Sequence, residues 1–147
     1  MARQKSAPAD TEVVRLVIPS KPEMTMKVDL IVEELIPKFG FDSLIKDDIA
    51  VAVNEVVKNA ILHGNQCDAR KKVEIIFTCE PSRITIRVRD YGNGFDLDAV
   101  PDPLDPENLL KESGRGLLIL RVLMDEVSFH NTGHGTEVTL VKYGSHR

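Results

Sequence analysis

The chain has 147 residues, 42% of them hydrophobic, which suits one domain with one core and argues against a second. It has 19 lysine and arginine residues and 23 acidic residues, and the resulting net charge of −4 provides no basic field for binding DNA. A small phosphorylated ligand is compatible with this charge. No run approaches the roughly 18 apolar residues of a membrane span. Cys67 and Cys79 are too far apart for a CxxC pair, so we expect reduced thiols in a soluble intracellular protein.

The first half of the chain predicts one strand followed by two helices. Residues 1–11 are polar and contain proline, which indicates a flexible tail ahead of a single domain at 12–147. The β-branched run EVVRLVIPS predicts a strand, and MKVDLIVEELIPKFG has apolar residues at helical spacing. The longest helical pattern, SLIKDDIAVAVNEVVKNAILHGN, has Ser43 as its predicted start and Gly64 as its stop.

The second half predicts two strand pairs around one helix. KVEIIFTCE and RITIRVRD form a predicted hairpin, and EVSFHNTGHGTEVTLVKY predicts two strands around a glycine-rich turn. Between them, GRGLLILRVLMDE has a helical pattern, and the proline-broken residues 96–113 predict a mobile functional lid. The fold class expected from this order is α+β, a two-layer sandwich with a mixed, mostly antiparallel sheet and helices on one face.

The segment NEVVKNAILHG of the predicted long helix contains residues that could bind a metal ion or transfer a proton. Glu55 and Asn59 are four residues apart, so both project from one face and can line a pocket together. A carboxylate there can accept a proton from a hydroxyl, and a carboxamide oxygen suits Mg²⁺. An exposed helix flank is the plainer alternative. Lys58 is expected to point away into solvent, and His63 in the last turn suits the helix dipole better than catalysis.

The segment RDYGNGFD follows a strand. Gly92 and Gly94 remove side chains where a flat group could approach the backbone, and Asp90 can accept a hydrogen bond from an amino group such as that of adenine. An ordinary turn at the end of a strand is the alternative, because aspartate, glycine and asparagine are the usual residues there.

Two further glycine segments could contact a ligand. In SGRGLLIL, Gly114 and Gly116 precede a helix whose exposed amides attract phosphate, and Arg115 adds a cation; glycine for local reasons is the alternative. In GHGTEVTL, Thr136 could offer its hydroxyl to a ligand at the end of the sheet or simply be a strand residue. The histidines of this turn have no further ligand nearby, which argues against a metal site.

In this order, the motifs ExxxN, DxGxG, a lid, GxGL and GT resemble those of the GHKL ATPase superfamily, which has the Bergerat ATP-binding fold. The resemblance extends from about Val13 to Lys142. Within the superfamily, NEVVKNAILHGN, DYGNGFD, ESGRGLLILRVLMDEVSF and GTEVTLVK are most similar to bacterial anti-sigma-factor serine kinases.

The resemblance implies a role for each of these residues. Glu55 would be the general base, Asn59 would hold Mg²⁺, and Asp90 would read the adenine amino group of ATP. Gly92 and Gly94 would admit the nucleotide, and Thr136 would support the adenine contact. The second glycine motif would enclose the phosphates together with the lid; its residues are Gly114, Arg115, Gly116 and Leu117.

The function implied by the resemblance is that of a bacterial, cytoplasmic protein serine/threonine kinase and anti-sigma factor. Its substrate would be a STAS-type antagonist, its other partner a sigma factor, and members of this branch often form homodimers. Neither nucleic acid nor a membrane is an expected partner. Two alternatives stay open: a nucleotide-binding interaction module without phosphotransfer, and a detached histidine-kinase ATPase domain, although no helical hairpin with a phosphoacceptor histidine precedes the domain.

Overall fold

The computed structural model of the chain describes residues 2–4, 11–92 and 112–144, with side chains described at 11–92 and 116–144. The predicted lid at 96–113 lies outside these residues apart from its last two positions, and Gly94 lies outside them as well.

The described strands form one six-stranded sheet, in which every neighbouring pair is antiparallel. The strands are β1 (Ala2–Gln4), β2 (Glu12–Pro19), β3 (Lys72–Glu80), β4 (Arg83–Arg89), β5 (Glu126–Asn131) and β6 (Thr136–Tyr143). Their order across the sheet is β1-β2-β3-β4-β6-β5, so the end of β4 lies beside the start of β6. This confirms the predicted mostly antiparallel sheet, and no parallel pair occurs among the described strands.

The first strand differs from the sequence prediction. Ala2–Gln4 pairs with β2, with Arg3 opposite Val14, and so forms an edge strand where a loose tail was expected. The physical reason is that the outer edge of β2 presents backbone amides and carbonyls that another extended segment can satisfy. A polar composition does not exclude such pairing, because it uses the backbone alone.

One face of the sheet is buried because its strands alternate in side-chain direction. In β2, Leu16 and Ile18 are buried while Arg15 and Val17 are exposed. The two following strands repeat this pattern with buried Val73, Ile75, Phe77 and Cys79, then Ile84, Ile86 and Val88. The apolar face of the sheet therefore needs a second layer to cover it.

Helices supply that layer, which confirms the predicted two-layer α+β sandwich. They are α1 (Thr25–Leu35), α2 (Ser43–Asn59) and α3 (Glu112–Leu123), and α2 packs against both of the others. The predicted start of α2 at Ser43 is observed, and the Asp42 carboxylate caps it by accepting the Ile45 N–H at 2.9 Å. Beyond Asn59 the chain continues as a single π-helical turn, Ala60–Gly64. None of the helices in the described part of the chain has the length and apolar character that a membrane span requires.

Candidate functional site

Asp90 lies just beyond β4, beside the start of β6. Its N–H donates to the Thr136 carbonyl at 3.0 Å, and its Oδ1 accepts the N–H groups of Gly92 at 3.1 Å and Thr136 at 3.2 Å. The residue is only 7% exposed, and burial raises the pKa of its carboxyl group despite these two amide hydrogen bonds. One carboxylate oxygen is therefore held by the protein, and the other faces Gly64.

Three glycines let the backbone close around Asp90. A Cβ at Gly64 would lie closer than 3.0 Å to the Asp90 Oδ2, and one at Gly135 would come equally close to the Asp90 carbonyl. A Cβ at Gly92 would collide with the Gly64 carbonyl, so in this structure Gly92 makes room for the protein's own backbone. Gly135 also has a φ of 155°, which favours glycine. The fold thus brings α2, β4 and β6 together at one carboxylate.

The sequence analysis missed several of these residues. Gly64 was predicted only as a helix stop, and Gly135 was quoted in a motif without a role of its own. Asn65 was not singled out, yet it is 1% exposed and its Oδ1 accepts the Tyr91 N–H at 2.8 Å. The available signal was the position of Asn65 directly after the predicted helix stop at Gly64. This signal is weak, because glycine and asparagine are also typical of ordinary helix ends.

Glu55 lies in α2, nine residues before Gly64, and packs against the start of α3. A Cβ at Gly116 would lie 2.7 Å from the Glu55 Oε2, so the absence of a side chain there leaves space for the carboxylate. The Glu55 side chain is 21% exposed, and Lys58 Nζ lies 3.5 Å from its Oε1. Lys58 is exposed, as predicted, but its amino group reaches back to Glu55, because residues three apart on a helix are neighbours.

Asn59 lies one helical turn after Glu55, on the same flank of α2, and is partly exposed. His63 is exposed in the following π-helical turn. Thr136 is buried and touches Asp90 through its own backbone amide and carbonyl, a contact that differs from the predicted hydroxyl contact with a ligand.

The second glycine motif lies inside α3. The helix begins at Glu112, so the glycines do not open it as predicted. Glutamate in a first turn is favoured by the helix dipole. The N–H groups at the very start of a helix lack partners within it, and Gly114 is still among them, because the first hydrogen bond of a helix that begins at Glu112 is donated by Arg115. Leu117 is partly buried and packs against the hydrophobic core.

The long helix and the π-helical turn that follows it connect the two ends of the site. Glu55 and Gly64 are nine positions apart, which corresponds to roughly 13 Å along a helix. One end has a carboxylate against the start of α3, and the other has the buried Asp90. The π-helical turn that ends this segment is a feature often found at functional sites.

A sequence profile described as "Histidine kinase-like ATPase domain" matches residues 18–142, and the chain belongs to this family. Serine-protein kinase RsbW of Bacillus subtilis is 29% identical over 140 residues, covering 91% of this chain and 87% of that protein. RsbW of Oceanobacillus iheyensis is 28% identical over 138 residues, covering 90% and 87%. Anti-sigma F factor of Bacillus thuringiensis is 39% identical over 101 residues, covering 65% and 68%.

Solved structures share the fold. The RsbU and RsbW domains of a Mycobacterium tuberculosis protein give a TM-score of 0.68 at 19% identity, covering 92% of this chain and 33% of that one. A blue-light activated histidine kinase of Erythrobacter litoralis gives 0.54 at 22% identity, covering 69% and 31%. The chain spans about a third of each of these solved chains, and at such identities they show the fold alone.

These relatives confirm the class predicted from the sequence. The family confirms an ATPase-type domain and hence ATP as its nucleotide. The names of the curated relatives confirm the predicted protein serine/threonine kinase of the anti-sigma type.

Proposed function

We propose that this chain transfers the terminal phosphoryl group of ATP to a serine or threonine hydroxyl of a STAS-type antagonist and, in a second complex, sequesters a sigma factor. The observation that carries the proposal is the helical segment from α2 through the π-helical turn, in which Glu55 packs against Gly116 and Gly64 packs against Asp90. A nucleotide extended along this segment would have its base at Asp90 and its phosphates near Glu55.

Asp90 recognises the base in this proposal. Its Oδ1 is occupied by two backbone amides, so Oδ2 is the oxygen that accepts a hydrogen bond from the adenine amino group. Guanine presents a carbonyl oxygen at the same ring position, and an acceptor facing an ionised carboxylate is repelled. Thr136 supports the contact by holding Oδ1, Gly92 leaves room for the Gly64 backbone beside Asp90, and Gly94 has the proposed role of admitting the nucleotide.

The residues at the other end fit Mg²⁺. The Asn59 carboxamide oxygen is a hard donor on the Glu55 flank, and the described residues contain no cluster of three or more His, Cys, Asp or Glu able to hold a metal ion. A single protein oxygen suits Mg²⁺ in kinases, because this ion keeps several waters and takes further ligands from phosphates. When bound, the ion neutralises charge on the phosphates.

Glu55 acts as the general base. It accepts the proton of the attacking hydroxyl while that oxygen bonds to the γ-phosphorus, and the bond from phosphorus to the bridging oxygen breaks to release ADP. Lys58 and the start of α3 hold the carboxylate in place from two sides. The second glycine motif, made of Gly114, Arg115, Gly116 and Leu117, encloses the phosphates together with the lid at 96–113, and the Gly114 amide, which precedes the first helical hydrogen bond of α3, can donate to them.

Phosphorylation then changes the partner. A phosphoserine adds about −1.5 to −2 of charge, which breaks the complex with the antagonist and releases the kinase to hold the sigma factor. The proposal includes a homodimer, a single domain of residues 12–147 to whose sheet Ala2–Gln4 adds an edge strand, and a location in the bacterial cytoplasm, where sigma factors act.

The test is phosphotransfer from γ-labelled ATP to a purified STAS antagonist in the presence of Mg²⁺. We expect label on the antagonist, and Glu55→Gln should lower the rate by roughly 10²- to 10⁴-fold while ATP still binds. Glu33→Gln is the matched control, because Glu33 is exposed on α1 and pairs with Lys46. ATP binding without label on any antagonist would favour the interaction module instead.

A further inference from the structure

Three consecutive amides at the end of β4 have three different acceptors. The N–H of Asp90 donates to the Thr136 carbonyl of β6, and the N–H of Gly92 donates to the Asp90 carboxylate. Between them, the N–H of Tyr91 donates to the side chain of Asn65 at 2.8 Å. A side chain from the end of the long helix thus takes the place of a strand partner at the middle position.

The Asn65 carboxamide is itself held on its other side. Its Nδ2 donates to Ser20 Oγ at 2.8 Å and to the Lys72 carbonyl at 3.0 Å. Ser20 Oγ in turn donates to the Lys71 carbonyl at 2.6 Å. Asn65 is 1% exposed and Ser20 is fully buried, so water competes little for these bonds. Segments at the ends of β2 and α2 and at the start of β3 therefore meet at one amide group.

The Asn65 bond acts on the peptide plane that joins Asp90 to Tyr91. Fixing the Tyr91 N–H fixes the orientation of this plane, and with it the direction of the Asp90 side chain. The Gly64 backbone, which packs against the Asp90 carboxylate and Gly92, directly precedes Asn65. Asn65 thus holds the turn in place through the Tyr91 amide and needs no contact with the ligand.

We propose that Asn65 and Ser20 form a positioning pair that aims the Asp90 carboxylate and thereby sets the selectivity of the site for a purine with an amino group. This inference rests on the proposed nucleotide function. It differs from a role in folding alone, because loss of the pair should weaken recognition of the amino group more than binding of the phosphates.

The test compares the binding of ATP with that of purine riboside triphosphate, which lacks the amino group, by calorimetry on the full chain. A hydrogen bond to a charged group is commonly equivalent to about tenfold in affinity or more, so wild type should prefer ATP by at least about that factor. Asn65→Ala should bring this ratio close to one. Asn54→Ala, which removes the same group from the other side of α2 where it faces Asp29, should leave the ratio unchanged.

Two further variants keep the test decisive. Ser20→Ala loosens the same amide while keeping its bond to the Lys72 carbonyl, so it should lower the ratio by a smaller factor even if Asn65→Ala does not fold. In an Asp90→Asn background, either change should have little additional effect on the ratio, since residues that act through one another are not additive.

The outcomes separate the two proposals. An equal loss of affinity for both nucleotides in Asn65→Ala and Ser20→Ala, or an unchanged ratio in both, would overturn the positioning role while the nucleotide site stands. An Asp90→Asn protein that keeps the full preference for ATP would instead overturn the role of Asp90 in the proposed function.

Discussion

Gly64 and Asp90 are packed so closely that only glycine fits at the end of the long helix. A Cβ at Gly64 would lie closer than 3.0 Å to the Asp90 Oδ2. Because the other carboxylate oxygen is held by two amides, Asp90 cannot simply swing aside. The helix that carries Glu55 and the Asp90 carboxylate are thus fixed relative to one another by the absence of one methyl group.

Gly64→Ala should therefore impair both folding and nucleotide binding. We expect ATP affinity to fall by about tenfold or more, because the added Cβ forces the Asp90 carboxylate out of the position in which we propose that it accepts a hydrogen bond from the base. Gly40→Ala is a suitable control: its φ of 82° makes alanine strained, yet nothing lies within 4 Å of the added Cβ. That variant should lose stability but retain ATP affinity. Calorimetric titration with ATP and thermal melts of both proteins provide the measurement, and equal affinities would contradict the prediction.

Gly116→Ala should lower the phosphotransfer rate without lowering the stability of the fold. Alanine in a helix is favoured over glycine by roughly 0.5–1 kcal/mol, so the melting temperature should rise or stay level. The new Cβ would lie 2.7 Å from the Glu55 Oε2 and displace that carboxylate, so we expect a lower phosphotransfer rate at saturating ATP. In a Glu55→Gln background the same substitution should cause little further loss of rate. An additive loss would show that Gly116 acts on something other than Glu55.

Most of the fold could be predicted from local patterns. The alternation in β2 to β4 and the apolar spacing of the long helix lie in contiguous sequence, and both predicted the observed elements. Two features could not be found this way. The pairing of Ala2–Gln4 involves backbone groups of a polar segment, and the placement of β6 between β4 and β5 depends on contacts between distant parts of the chain.

In the candidate site, too, the residues in local motifs could be predicted, and those with distant partners could not. Glu55, Asn59 and Asp90 stand in recognisable motifs, so their residue types and spacing were informative. Asn65 could not be predicted, because its partners at Ser20 and Tyr91 are 45 and 26 positions away and give no local signal. Gly64 likewise serves a contact that only the folded chain creates.

The two cysteines should differ sharply in reactivity. Both are free thiols, Cys67 exposed and Cys79 buried beneath the helices. Burial is the main cause that raises the pKa of Cys79 to about 12, with Glu12 adding to it, so almost no thiolate is present there at neutral pH. We expect a colorimetric thiol titration at pH 8 to find one fast-reacting group in the native protein and two after denaturation. Cys67→Ser should abolish the fast phase, and two fast thiols in the native state would contradict this assignment.

Asp90→Asn should stabilise the fold at neutral pH while weakening ATP binding. Burial raises the pKa of Asp90, so the folded state holds the proton more tightly than the unfolded chain does. Stability therefore declines as pH rises from the ordinary aspartate pKa through the raised one, and the full penalty is present above both. Asparagine carries no charge and keeps an oxygen for the Gly92 and Thr136 amides, so it avoids that penalty. Denaturant unfolding of both proteins should show the variant ahead at pH 7 and the gap closing below the ordinary aspartate pKa. ATP affinity of the wild type should fall as Asp90 becomes protonated, and a pH-independent stability difference would contradict the assignment of this penalty to Asp90.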